Sequence, residues 1–428
     1  MSEVAQAPHS SPDGHIPQLR FPEFSGNWEE VPFYDCLNDI LDFRGRTPLK
    51  IGMDWGGGNI ISLSANNVKN GYIDFNAECH LGSGELYEKW MGKVKLVKND
   101  IVFTMEAPLG KALLVPDDKR YILSQRVVAF KTKDYIDNLY FIQLIWSNKF
   151  QNTVDRLSTG STAKGINQKS LKKVFVNIPL KPEQQKIAAF LTAVDTKIEQ
   201  LSKKKALLGE YKKGLMQKIF SQAIRFKADD GSDFPDWEDG LLNTLIDNSR
   251  KIRYGIVQPG KYDKNGKYLI RGKDYSNGWE IPSEFFKVSD AIEKKYSKTR
   301  VKKGDVIVCI VGSVGNVMVI PGWLDGANIT QTTARIAPDK NKLNNQYLYF
   351  YFQSLVGRNM IHKHTRVGTR PGLNIEDVEK FSILLPSLLE QAKIANFLSS
   401  IDNKIEQVGK QLDESKQFKK ALLQQMFV

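Results

Sequence analysis

Arginine, lysine and asparagine gather with glycine in three short stretches, and each stretch occurs twice along the chain. The first holds Arg44-Gly45-Arg46-Thr47-Pro48 and, in the later half, Arg250 to Gln258 with Arg253 and Tyr254-Gly255. Arg suits two-pronged contact with guanine and with phosphate, and Gly lets a backbone approach a duplex. The second holds Asn66, Asn67 and Lys69 against Arg271, Lys273 and Asp274. Asn can pair with adenine, and Arg or Lys with guanine, so this divergence is what readers of two different sequences would show. The third is Arg156 to Asn167 (RLSTGSTAKGIN) against His364 to Asn374 (HTRVGTRPGLN). Its glycines, with Lys164, Arg366 and Arg370, suit a phosphate-binding loop. Each stretch also fits a solvated turn or a plain helix connection, and the residues alone leave both readings open.

Catalytic patterns are missing. There is no GxxxxGK followed by Ser or Thr, and the glycines at Gly56 to Gly58 lack the spacing of a dinucleotide loop. The chain has no Pro-Pro pair, which excludes the Asn-or-Asp-Pro-Pro-aromatic signature of amino-methyltransferases, and no HExxH. His362 and His364 would share one side of a strand, but no Cys or acidic cluster accompanies them as metal ligands. Asp117-Asp118-Lys119 lacks the supporting carboxylates of a nuclease. Three widely spaced cysteines, Cys36, Cys79 and Cys309, form neither a disulfide framework nor a CxxC pair. The expectation is a non-enzymatic protein with no metal site.

Positioning those stretches requires several folded bodies. The 428 residues, 41% hydrophobic, exceed what one core holds. The net charge of +13 is compatible with a polyanionic partner without requiring one. The first 16 residues read as a polar tail with no signal peptide, and the longest apolar run, Val306 to Val311, is too short for a bilayer. A soluble cytoplasmic protein is expected.

An internal repeat organises the rest. Ile178 to Phe220 aligns without a gap to Leu385 to Phe427, with 19 identities in 43 positions. Weaker matches extend backwards: Gly165 and Asn167 with Gly372 and Asn374, Tyr140 with Tyr347, Asn70-Gly71 with Asn277-Gly278, Trp28-Glu29 with Trp237-Glu238, and VKNDIVF from Val97 with KKGDVIV from Lys302. Within the strong repeat, heptad spacing places Ile187, Leu191, Val194, Ile198 and Leu201 on one seam. Ile394, Leu398, Ile401, Ile405 and Val408 form the matching seam, which is the a/d pattern of supercoiled helices. Each helix should span roughly 55–60 Å, with the two packed antiparallel. The preceding segments read as strand-rich, with strands at Asn59–Leu63, Lys95–Thr104, Tyr121–Phe130, Val306–Val311 and Val317–Pro321, and one helix each at Leu139–Phe150 and Asn345–Arg358. The expected fold is α+β: a tail at 1–16, globular domains at 17–177 and 223–384, and long helices at 178–222 and 385–428.

With LRFPEFSGNWEE from Leu19, its echo IRFKADDGSDFPDWEDG from Ile224, and the segments IPLKPEQQKIAAFLTAVDTKIEQ and LPSLLEQAKIANFLSSIDNKIEQ, the chain resembles the specificity subunit of a bacterial type I restriction-modification system. It departs from the family's Pro-Pro-x-x-Glu-Gln helix start, having Pro-Leu-Lys-Pro-Glu-Gln and Pro-Ser-Leu-Leu-Glu-Gln instead. The resemblance implies two target recognition domains, each reading one half of a bipartite, asymmetric double-stranded DNA sequence, and helices that fix the unread gap. It also implies two methylation subunits docked on the helices and restriction (motor-nuclease) subunits. S-adenosylmethionine, ATP and Mg would then be held by those partners and no cofactor by this chain. Half-sites read from one face should lie about 10 bp apart, centre to centre. The alternative is a coiled-coil scaffold without sequence-specific DNA binding, which leaves the paired Arg/Asn loops unexplained.

Overall fold

In the computed structural model, residues 15–276, 278–366, 368 and 371–428 are described. The chain divides into two compact units. One comprises the residues up to Ser202 together with Lys410–Val428, and the other Lys203–Gly409. These two units group the five expected parts differently, since neither long helix stands as a part of its own. Both long helices, Lys181–Phe220 and Leu388–Gln425, are cut by the boundary, and each unit's core takes in pieces of both.

Each unit is built on a four-stranded antiparallel sheet. In the first unit the order is Leu37–Asp42, Val127–Thr132, Ile101–Thr104, Ala112–Leu114, and in the second Arg253–Tyr254, Thr333–Ile336, Val306–Cys309, Val317–Val319. The central strands Ile101–Thr104 and Val306–Cys309 are buried along their whole length, as suits strands covered on two sides, and the equally buried Thr333–Ile336 carries Arg335, whose guanidinium donates to Lys298 O, Arg300 O and Lys251 O. A second, three-stranded sheet in each unit carries a parallel pair, Ile60–Leu63 with Tyr121–Leu123 and Lys267–Ile270 with Asn328–Ile329. The same plan twice confirms at the level of topology what the weak sequence matches suggested. VKNDIVF and KKGDVIV are equivalent turns: Asn99 (φ +70°) stands where Gly304 (φ +89°) does, a left-handed position that Asn tolerates and Gly favours. The following aspartates accept from Val97 N (2.8 Å) and Lys302 N (2.7 Å).

Four expected elements differ. Lys95–Thr104 is a strand only from Ile101, because the Asn99 turn precedes it. Tyr121–Phe130 is two strands, since Arg126 at φ +65° breaks the extended backbone. The two short helices are each a broken pair, Asn138–Trp146 with Asn148–Arg156 and Asn345–Gln353 with Leu355–His364. Ser147 and Ser354 sit at the breaks with extended ψ, and their side chains accept from Phe150 N and Gly357 N. A serine that caps a new helix competes with continuation of the old one.

A short ladder closes each unit beside its long helix, Glu29–Pro32 with Phe175–Ile178 and Glu238–Leu241 with Ser382–Leu385. Glu183, in the first turn of the first helix, is buried and receives Arg20 through both oxygens (2.8 and 2.7 Å) and Trp28 Nε1 at 3.2 Å. Glu390 repeats this with Arg225 (3.2 and 2.9 Å) and Trp237 Nε1 (3.0 Å). The neighbouring Gln184 and Gln391 accept from Asp137 N and Asn344 N, and donate to Pro179 O and Pro386 O. The Glu-Gln pairs of the repeat thus fasten helix to domain.

On the helices, Ile187, Leu191, Leu201, Ile394, Leu398, Ile401 and Val408 are buried, and Val194, Ile198 and Ile405 half-buried. In the first unit Ile187 and Leu191 share a core with Leu422, Met426 and Phe427. In the second, Ile394, Leu398 and Ile401 share one with Met216, Ile219 and Phe220. There Lys212 lies against Asp402 (2.6 Å) and Lys205 against Gly409, so numbering rises on one helix as it falls on the other.

Candidate nucleic-acid interface

Antiparallel registry brings the basic loops of each unit to one end of its sheet. Asp42 pairs with Val128 and Thr104 with Val127, so the segments 43–47, 105–110 and 124–126 leave from a common edge. The third stretch joins them through a bridge between Glu106 and Gly165, with Ile166 N donating to Met105 O at 2.8 Å. In the second unit Tyr254 pairs with Ala334 and Cys309 with Thr333, and Leu373 N donates to Ile310 O at 2.8 Å. The first and third stretches, far apart in sequence, therefore meet within each unit.

Their side chains are not equally available. Arg44 is half-buried in a two-pronged pair with Asp42, whose Oδ2 also accepts from Gln168 at 2.8 Å. Arg46 is exposed, lies over the Phe43 ring and donates to Trp90 O at 2.7 Å. Arg156 is exposed at a helix end, and Lys164 is held to Asp155 at 2.6 Å with both about half exposed. Arg253 and Lys273 are exposed. Arg366 is 69% exposed, lies 3.7 Å from Asp377 and donates to the Asn374 amide oxygen at 2.7 and 3.1 Å. Arg370 lies outside the described residues.

Two assignments are corrected. Asn67 is fully buried: its amide donates to Ser62 O (2.7 Å) and accepts from Ser64 N (2.9 Å), so it shapes a turn and offers nothing to a base. Arg271 is committed to the buried Asp274 (Nε 3.0 Å, Nη2 2.9 Å) and to Glu284 O, which makes it a brace for its own loop. Gly255 is needed for a different close approach from the one expected, since a Cβ there would lie 1.8 Å from Ile329 O of the same unit. His362 and His364 lie in the last turn of a helix, not on a strand, and so do not share a side. Among the described residues no cluster of three or more His, Cys, Asp or Glu is arranged to hold a metal. Burial pushes the Cys36 thiol up to about 12 and raises that of Cys309, which suits inert core residues.

Asn66 is exposed and Lys69 half-buried, donating to Asn66 O at 2.8 Å. Asn66 opens on a cavity of about 210 Å³ lined also by Trp55, Glu78, His80, Gln125 and Arg126. The Trp55 and His80 rings stack at 5.1 Å with a 12° tilt. The cavity joins the second stretch to the loop 124–126 at the sheet end. Gln125 and Arg126 were not singled out from the sequence. The signal available was the match of Ser124-Gln125 with Thr330-Gln331 in the other copy, each just before a central strand.

A family model described as the type I restriction modification DNA specificity domain matches residues 27–209 and 246–415, one stretch for each copy of the repeat. The chain belongs to that family. This DNA specificity domain chain is 26% identical over 316 residues to the type I restriction enzyme EcoBI specificity subunit of Escherichia coli, covering 69% of this chain and 65% of that relative, just under two thirds. It is 27% identical over 432 residues to the type I restriction enzyme MjaVIII specificity subunit of Methanocaldococcus jannaschii, covering 95% and 92%. Among solved structures, the S subunit of a type I restriction-modification system from M. genitalium aligns over 96% of this chain and 99% of its own, with a TM-score of 0.57 at 16% identity, which shows a shared fold. No helix among the described residues is long and apolar enough to cross a membrane.

Proposed function

We propose that this chain is the DNA specificity subunit of a type I restriction-modification complex, each unit reading one half of a bipartite double-stranded target. The observation that carries the reading is the doubled loop cluster: the same sheet end, reached by the same three stretches, presents different residues in the two units. In the first these are Arg46, Asn66, Arg156 and Lys164, in the second Arg253, Lys273 and Arg366. Shared scaffolding with divergent tips is what two readers of different sequences need, because base edges are distinguished by donor and acceptor placement while phosphates are alike. The excess of cations supplies sequence-independent attraction.

The long helices, in this reading, form one antiparallel coiled coil that sets the gap and docks two methylation subunits, with restriction subunits joining the complex. The reversed numbering of the contacts within the second unit supports that pairing. Catalysis, S-adenosylmethionine, ATP and Mg belong to the partners. Co-expression with the methylation subunit, followed by base-resolution mapping of methylated genomic DNA, should return one gapped, asymmetric motif. A continuous motif, or none, would overturn the assignment.

A further inference from the structure

In each unit a three-residue loop leads from the parallel pair into the central strand of the four-stranded sheet, Ser124-Gln125-Arg126 in one and Thr330-Gln331-Thr332 in the other. The middle residue is an exposed glutamine in both units, and no hydrogen bond engages either side-chain amide among the described residues. A fold that needs only a turn here has no use for a glutamine twice, since Gly, Asn or Ser would serve. In the first unit the next residue, Arg126, holds φ +65°. Non-Gly residues in that region cost free energy and persist where the surroundings impose them, often at binding sites. Its guanidinium is half exposed, 3.6 Å from an equally exposed Glu106, a contact that solvent weakens and a ligand can displace. At the matching place in the second unit stands Thr332, its hydroxyl 3.0 Å from that of Thr330.

We infer that this loop reads base edges in each half-site: Gln125 and Gln331 contact an adenine in their respective halves, and Arg126 contacts a guanine that the second half lacks. The inference rests on the specificity-subunit reading. The chemistry is that of the groove code. A primary amide matches the N6 donor and N7 acceptor of adenine, and a guanidinium matches O6 and N7 of guanine. Occupying the same place in both units, the glutamines meet a feature common to the halves, while Arg126 against Thr332 separates them. In the first unit the stacked Trp55 and His80 and the Asn66 amide flank the loop across the 210 Å³ cavity, giving it a rigid wall on one side.

The test uses the full chain assembled with its methylation subunit, with genomic DNA as the probe and methylated motifs as the readout. Gln125→Ala should relax one A·T position of one half-site by about tenfold, and Gln331→Ala one position of the other half. Gln125→Glu keeps the size of the side chain but leaves only acceptors, and should shift that position from adenine towards cytosine. Arg126→Asn, which tolerates the left-handed backbone, should relax a neighbouring G·C pair. An unchanged motif in all four variants, or uniformly weaker methylation with no relaxed position, would overturn the inference while leaving the wild-type bipartite motif intact. A wild-type chain giving no bipartite motif would overturn both readings.

Discussion

Glu183 and Glu390 show how much of the repeat's strongest sequence signal is spent on holding each domain to its helix. Each carboxylate is sealed from solvent and satisfied by one guanidinium and one indole N–H, the guanidiniums themselves only 13% and 24% exposed. Removing the acid strands a nearly buried charge, a defect that costs about 3–5 kcal/mol. Glu183→Ala should therefore lower the stability of the first unit by about 3 kcal/mol, measured by denaturant unfolding of the full chain. A loss under about 1 kcal/mol would show that Arg20 finds water instead. The same burial logic separates the DNA-facing candidates. Asn67 and Arg271 looked like base readers because type and spacing fit, but no sequence pattern reveals that their polar groups are consumed by Ser62 and Asp274. Arg46, Asn66, Lys273 and Arg366 remain exposed.

At the scale of the element, the polar residues that interrupt the heptads have a role. Continuing the alternate steps of four and three from Leu201 and Val408 puts Lys212 and Lys419 on the seams, and each reaches an aspartate of the other long helix within its own unit: Asp402 at 2.6 Å, and Asp195 at 2.5 Å. The two pairs are related by the repeat, residue for residue. Each lysine also lies over a ring, Phe350 at 5.0 Å and Trp146 at 4.5 Å. A polar pair at a seam stabilises weakly but penalises the wrong register. Lys212→Asp should destabilise the second unit by about 1 kcal/mol, and adding Asp402→Lys should recover part of that, so that the two changes are non-additive in thermal unfolding. Strict additivity would mean that the pair contributes nothing. The breaks at Ser147 and Ser354 were missed for a related reason: helical periodicity continues through both serines, and only the capping hydrogen bonds reveal the restart.

For the whole molecule, the proposed reading has the two copies of the repeat vary separately, each with its own half of the target. Residues 17–177 lie wholly within the first unit, whose core is distinct from that of the second. Replacing them with the corresponding segment of a relative should change one half of the methylated motif and leave the other half and the gap as they were. A change in both halves would show that the units do not read independently.

The amino-acid sequence determined the repeat, the long amphipathic helices, the strand-rich character of both domains and the family, because each is written in periodicity or in residue identity at fixed spacing. Tertiary structure alone decided which basic and amide side chains are exposed, that the first and third stretches share one end of a sheet, and that Gln125 and Arg126 stand beside Asn66. Those facts depend on strand register and on burial between residues as many as 126 positions apart, as in the contact between Gln168 and Asp42. Local patterns do not encode such distances, since the chain's return path is set by packing of the whole core.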